Sequence, residues 1–210
     1  MTWLRRIGRA SPPASEAAGE RVPRSTERAS PGIAALLEGI AEDRSHSVLD
    51  LGPAAEHSLR VYSRFARRIR FAGLLDSLSE GWEAARSTVP PQPEAPYDLL
   101  FGWDVLGRLP PDVRPSLVDW LAEVSAPNAR LHVVLAAPEV TEIHPYRFSL
   151  LEVDRIRCDP TGPARPAPSH LLPAEVEKLL MPFHVTRAFT LKGGLREYVA
   201  VRRTPEAGGY

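Results

Sequence analysis

The sequence predicts an α/β fold built on a doubly wound, mainly parallel sheet with a C-terminal antiparallel hairpin. Three observations carry this. Apolar, strand-like runs alternate with segments of helical periodicity through most of the chain, as parallel strands joined by crossover helices do. The run "VLDL" ends at a single glycine, Gly52, before a helical stretch, the form of a strand-to-helix turn. The closing stretch "FHVTRAFTLKGGLREYVAVRR" divides at Lys192-Gly193-Gly194, as two strands of a hairpin would.

The elements follow in order. Residues 1–30 are expected to form a flexible N-terminal tail, because from Ser11 to Ser30 the only large aliphatic residue is Val22 and such a segment cannot offset its ordering entropy by burial. In "PGIAALLEGIAED", Ile33, Leu36, Leu37 and Ile40 fall on one helical face behind a Ser30-Pro31 start signal. "HSVLDL" is a strand, Glu56 to Ala66 a helix, and "RIRFAGLLD" a second strand ending in Asp76. A helical stretch "SLSEGWEAARS" leads to "TVPPQPEAP", where four prolines forbid either regular element. "YDLLFGWDVL" resumes as a strand, "PDVRPSLVDWLAEVS" is amphipathic, "ARLHVVLAA" is a further strand and "PAEVEKLLM" a last helix. One domain over 31–203 results, with an insertion at 139–170 read as a substrate lid and a flexible C-terminus at 204–210.

Composition narrows the function. The chain has 26 basic and 26 acidic residues, so no net field draws it to nucleic acid or an anionic membrane. No apolar run approaches the ~20 residues of a membrane helix. Cys158 is the only cysteine, which leaves no intramolecular disulfide and suits a reducing, cytoplasmic setting. Arg60, Arg64, Arg67 and Arg68 are expected to line one helix as a solvated face, with Leu59, Val61, Tyr62 and Phe65 of that helix packed on the sheet. Neither G-x-G-x-x-G nor G-x-x-x-x-G-K-[ST] occurs, and there is no G-x-S-x-G or H-E-x-x-H, which disfavours nicotinamide, P-loop and hydrolase chemistry. By itself, one glycine after a strand also fits an ordinary turn.

Taken in sequence, "VLDLGPA", the strand ending in Asp76, the run from "YDLLFGWDVL" to "ARLHVVLAA" and the closing hairpin resemble class I S-adenosylmethionine-dependent methyltransferases over about residues 31–203. The resemblance implies a Rossmann-like methyltransferase fold and S-adenosylmethionine as cofactor. It implies that Asp50, Gly52 and Pro53 stand at the methionine part, that Asp76 accepts hydrogen bonds from the ribose hydroxyls, and that Trp103 and Asp104 border the cofactor and substrate. Two departures stand out: Pro53-Ala54-Ala55 replace the expected further glycines, and the third strand is short or missing between Asp76 and Tyr97. In the lid, "IHPYRF" offers His144 as a base, Tyr146 as a polar aromatic wall and Arg147 as an anion anchor. The expected activity is methyl transfer to a small molecule. The alternative is a catalytically inactive relative that serves as a binding or assembly module with a protein partner.

Overall fold

The computed structural model describes residues 24–78, 81–89, 94–167 and 171–203. The expected flexibility of residues 1–23 and 204–210 lies outside that set. Six strands form the central sheet, in the order β10 (Phe183–Leu191), β11 (Leu195–Arg202), β5 (Ser125–Ala136), β4 (Tyr97–Phe101), β2 (His46–Asp50) and β3 (Ala66–Phe71). β3, β2, β4 and β5 run parallel, while β11 is antiparallel to β5 and β10 antiparallel to β11. Val48 is therefore interior, hydrogen-bonded through its strand to neighbours on both sides.

Helices cover both faces. α1 (Pro31–Leu37) and α2 (Glu56–Tyr62) pack with Val48, Leu99, Phe101, Val134 and Val199, and α6 (Arg114–Val124) and α7 (Pro173–Leu179) pack with Leu49, Leu100, Leu131 and Val133. Alternate residues of each strand thus enter opposite layers, which explains the continuous apolar runs. α1 begins where expected: Ser30 is its N-cap, its side chain accepting from the Ile33 N–H at 3.2 Å, with Pro31 in the first turn. No helix among the described residues is long and apolar enough to cross a membrane.

Among the described residues no strand stands between β3 and β4, so β3 is an edge. Its arginines engage the connecting segment: Arg68 donates to the carbonyls of Ala95 and Pro96, and Arg70 to that of Thr88.

Three expectations are corrected, and one, the inserted segment, gains a structure. The chain is ordered before Pro31, because β1 (Thr26–Ala29) pairs with β8 (Arg155–Pro160). Its side chains are mostly exposed, so backbone hydrogen bonds hold it, helped by an Arg157–Glu27 contact at 2.8 Å. The inserted segment is itself largely strand: β6 (Glu142–Ile143), β7 (Tyr146–Glu152), β8 and β9 (Arg165–Pro166), with β1, β8 and β7 forming a three-stranded sheet on α2. Its buried face, Phe148, Leu150, Ile156 and Cys158, joins the α1–α2 core.

Second, α2 ends at Tyr62, so Arg67 and Arg68 belong to β3 and only Arg60 lies within the helix. Leu59 is 48% exposed rather than packed on the sheet. Third, the second strand stops at Phe71, and Asp76 sits in α3 (Leu74–Ser77), a short helix entered through Gly73 at φ +55°. A separate helix, α4 (Trp82–Ser87), follows.

Candidate functional site

Strand order reverses between β2 and β4, and the crevice beyond their carboxyl ends is where open α/β sheets bind ligands. A cavity of about 160 Å³ opens there, and Gly52, Pro53, Asp76, Trp103, Asp104, Tyr146 and Arg147 all line it. A second cavity, about 260 Å³, includes Asp104 and His144. Seven of the nine residues singled out in the sequence thus meet at one cavity, while His144 faces its neighbour and Asp50 lies beneath the floor.

Asp50 is 2% exposed. Its Oδ1 accepts from the Gly52 N–H at 2.8 Å and the Trp103 Nε1–H at 2.6 Å, and its Oδ2 accepts from the Tyr62 hydroxyl at 2.7 Å. Burial raises the carboxyl to about 6, opposed by these three donors, since desolvation penalises the charged form and hydrogen bonds favour it. Asp50 therefore serves the protein's own groups. Burial and the Asp50 charge push the Tyr62 hydroxyl well above its usual range.

The glycine at 52 answers the same demand. A Cβ there would lie 3.0 Å from Asp50 Oδ1 and 3.3 Å from the Trp103 indole, so the absent side chain makes room for that pair. Trp103 is 2% exposed, adopts φ +44°, and stacks on Phe148 with ring centroids 5.6 Å apart and planes within 3°. A left-handed backbone at a bulky residue costs on the order of 1–3 kcal/mol; here the indole hydrogen bond and the stack offset it. His132 also meets Trp103, edge-on, with ring centroids 5.8 Å apart. Its Nε2 is 3.2 Å from Glu197 Oε1, and Glu197 also accepts from Ser30 Oγ–H and the Gly32 N–H, tying α1 to the floor of the site. Burial acts to raise the Glu197 carboxyl, but His132, Ser30 and Gly32 together hold it below its usual range.

Asp104 and Arg108 stand between the two cavities and line both. They form an ion pair at 2.6 Å, and Arg108 also donates to the Tyr146 carbonyl. Burial raises the Asp104 carboxyl to about 6 against the pull of Arg108. Arg108 was not singled out from the sequence, although its i,i+4 spacing from Asp104 on α5 (Val105–Arg108) was a readable signal. Gly73, Leu75, Phe148 and Thr161 also line the first cavity without having been anticipated.

Among the candidate catalytic residues, Tyr146 and Arg147 face the first cavity and His144 the second. His144 Nδ1 is 3.2 Å from the Gly162 carbonyl. A carbonyl only accepts, so in the neutral ring Nδ1 carries the proton and Nε2 the lone pair. An adjoining cavity of about 570 Å³ shares Leu75 and Arg108 with the first and is walled by Leu78, Trp82, Leu109 and Val113. Among the described residues no group of three or more His, Cys, Asp or Glu could hold a metal. Cys158 is buried, its thiol pushed up to about 11, which leaves it unreactive.

No protein-family model matches the chain, and no curated protein matches it significantly. Solved structures do. A Mesorhizobium loti S-adenosylmethionine-dependent methyltransferase is 11% identical at TM-score 0.53, over 82% of this chain and 96% of that one. A Burkholderia thailandensis 1,6-didemethyltoxoflavin-N1-methyltransferase, with 1,6-didemethyltoxoflavin and S-adenosylhomocysteine bound, is 15% identical at TM-score 0.50, over 83% of this chain and 77% of that one. The fold is thus the Rossmann-like fold of class I S-adenosylmethionine-dependent methyltransferases, carried by a sequence only 11–15% identical to these neighbours.

Proposed function

We propose that the chain is an S-adenosylmethionine-dependent methyltransferase acting on a small molecule. The observation that carries this reading is the convergence of Gly52, Pro53, Asp76, Trp103 and Asp104 on one cavity at the strand-order reversal of a methyltransferase fold.

The residues present fit the cofactor's chemistry. The cavity at about 160 Å³ is small beside typical ligand pockets of roughly 300–1,000 Å³, but the neighbouring space of about 570 Å³ extends it on an apolar side. Leu75, Leu78, Trp82 and Val113 there suit a flat purine. Asp76 lines the first cavity between the two and suits a vicinal diol, while Arg147 suits a carboxylate. Asp50 acts at one remove, by fixing the Gly52 turn and the Trp103 ring.

When bound, the cofactor supplies an electrophilic methyl group, so the protein's work is orientation and proton removal. The Asp104–Arg108 pair would hold the boundary between cofactor and acceptor. His144 Nε2 would take the proton from an acceptor N–H or O–H, while Tyr146 and Phe148 exclude water above.

Calorimetric titration with S-adenosylmethionine and S-adenosylhomocysteine tests the reading. The parent should bind both, and Asp76→Ala should weaken binding by roughly 1–3 kcal/mol, about tenfold to a hundredfold, with unchanged circular dichroism. Gly52→Val is a poorer probe, because its side chain would strike Asp50 and Trp103. The commitment of Asp50 and Trp103 to each other favours a second reading, an inactive binding or assembly module. No heat and no thermal shift at millimolar ligand would establish that one instead.

A further inference from the structure

The cavity beside His144 has a chemistry of its own. Its walls are apolar: Val134 and Ala136 at the end of β5, Leu195 at the start of β11, and Ile143, Pro145 and Pro166 from the inserted segment. Two charges at its boundary, Asp104 and Arg108, neutralise each other at 2.6 Å. In its neutral form His144 has its Nδ1 proton committed to the Gly162 carbonyl. Arg165 is left. It is an exposed residue of β9 that lines the cavity from its solvent side, opposite Ile143, and among the described residues its guanidinium has no ion pair; Glu142, on the paired strand, stands opposite Pro166 instead.

An apolar chamber with one uncompensated guanidinium at its exposed edge selects for apolar surface plus one negative charge at the solvent end, because Arg matches a carboxylate in a planar, two-pronged geometry. The volume, about 260 Å³, lies just below the usual ligand range of roughly 300–1,000 Å³ and admits one or two fused rings. We propose that this chamber holds the methyl acceptor and that the acceptor is an aromatic acid, its ring between the apolar walls and its carboxylate on Arg165. The assignment of the acceptor's role rests on the methyltransferase reading; the binding preference does not.

The test uses the full chain without cofactor and three probes of one shape: 2-naphthoate, 2-naphthamide and 2-naphthylmethylamine, followed by calorimetry. The parent should bind the carboxylate at least tenfold more tightly than the amide or the ammonium. Arg165→Gln should erase that preference, while Lys178→Gln, on the exposed surface of α7, should keep it. Gly107 lines the same chamber, and a Cβ there would meet Leu135 at an ordinary 3.5 Å. Gly107→Leu should therefore weaken all three probes about tenfold. Equal binding of the three probes by the parent, no binding of any, or a preference that survives Arg165→Gln would overturn the proposal. Titrating the same preparations with S-adenosylmethionine separates the two readings. An Arg165-dependent preference without cofactor binding removes the methyl-transfer role and keeps an aromatic-acid site; cofactor binding without the preference does the reverse.

Discussion

Trp103→Phe removes one hydrogen bond and keeps an aromatic ring against Phe148, so it isolates the indole N–H that Asp50 accepts at 2.6 Å. The Asp50 pKa rises from 3.8 to about 6 on folding. The native state consequently holds a proton between those values that the unfolded state has lost, and this group's contribution to stability falls as pH rises through that window. Over the full shift the change is roughly 3 kcal/mol, at about 1.36 kcal/mol per pKa unit. Above the window the carboxylate is ionised and the indole bond is charge-assisted, worth about 1.5–3 kcal/mol. Below it the acceptor is neutral and the bond is worth about 0.5–1.5 kcal/mol. The smaller ring costs the same at both pH values. Trp103→Phe should therefore destabilise the protein by about 1–2 kcal/mol more at pH 8 than at pH 4.5. Urea unfolding followed by circular dichroism at the two pH values measures the gap, and Asp104 titrates alike in both proteins, so it cancels. The gap should disappear in an Asp50→Asn background. Equal destabilisation at both pH values would show that Asp50 is not the charged partner of Trp103, and the account of the site floor would fail.

Two further outcomes test how the site is anchored. Gly32→Ala would place a Cβ 2.8 Å from Glu197 Cβ and 2.9 Å from its Oε2; the overpacking should cost about 1–3 kcal/mol and lower the melting temperature by several degrees, and an unchanged melt would mean that α1 is not held against Glu197. Ser58→Ala would leave the Leu150 N–H without the hydroxyl that accepts it at 2.9 Å; a loss of about 1–3 kcal/mol is expected, with faster hydrogen exchange at Leu150, and undiminished protection there would sink the claim that α2 fastens the inserted sheet.

What could be read from the sequence, and what could not, follows from which forces hold each element. β2, β4 and β5 are buried on both faces, so composition alone marks them as strands. The prolines between Thr88 and Tyr97 marked a loop and left the third strand short or missing, and among the described residues β3 is the edge of the sheet. β1 carried no such signal. Its four residues are mostly exposed, and a strand held by its backbone against a distant partner leaves no period in its own side chains. The inserted segment was legible as a place but not as a sheet: β7 pairs with β8 and β6 with β9 inside the segment, but the sheet is completed by β1, which pairs with β8 from more than a hundred residues earlier in the chain.

The site shows the same division more sharply. An acidic residue two positions before a glycine looks identical in sequence whether the carboxylate awaits a ligand or turns inward. What decides between them is the donor that arrives from elsewhere, and at Asp50 that donor is Trp103, 53 residues on. Gly52 then has a different physical reason from the one the turn suggested, since the space above its Cα is occupied by the indole. Asp104 lies in the segment that supplies that donor, yet its own partner is local, four residues on, and helical spacing would have been enough to find it, although Arg108 was not singled out. Long-range pairing thus hid the floor of the cavity, while the residues gathered around its mouth were open to reading because strand ends and turns put them there whatever their partners.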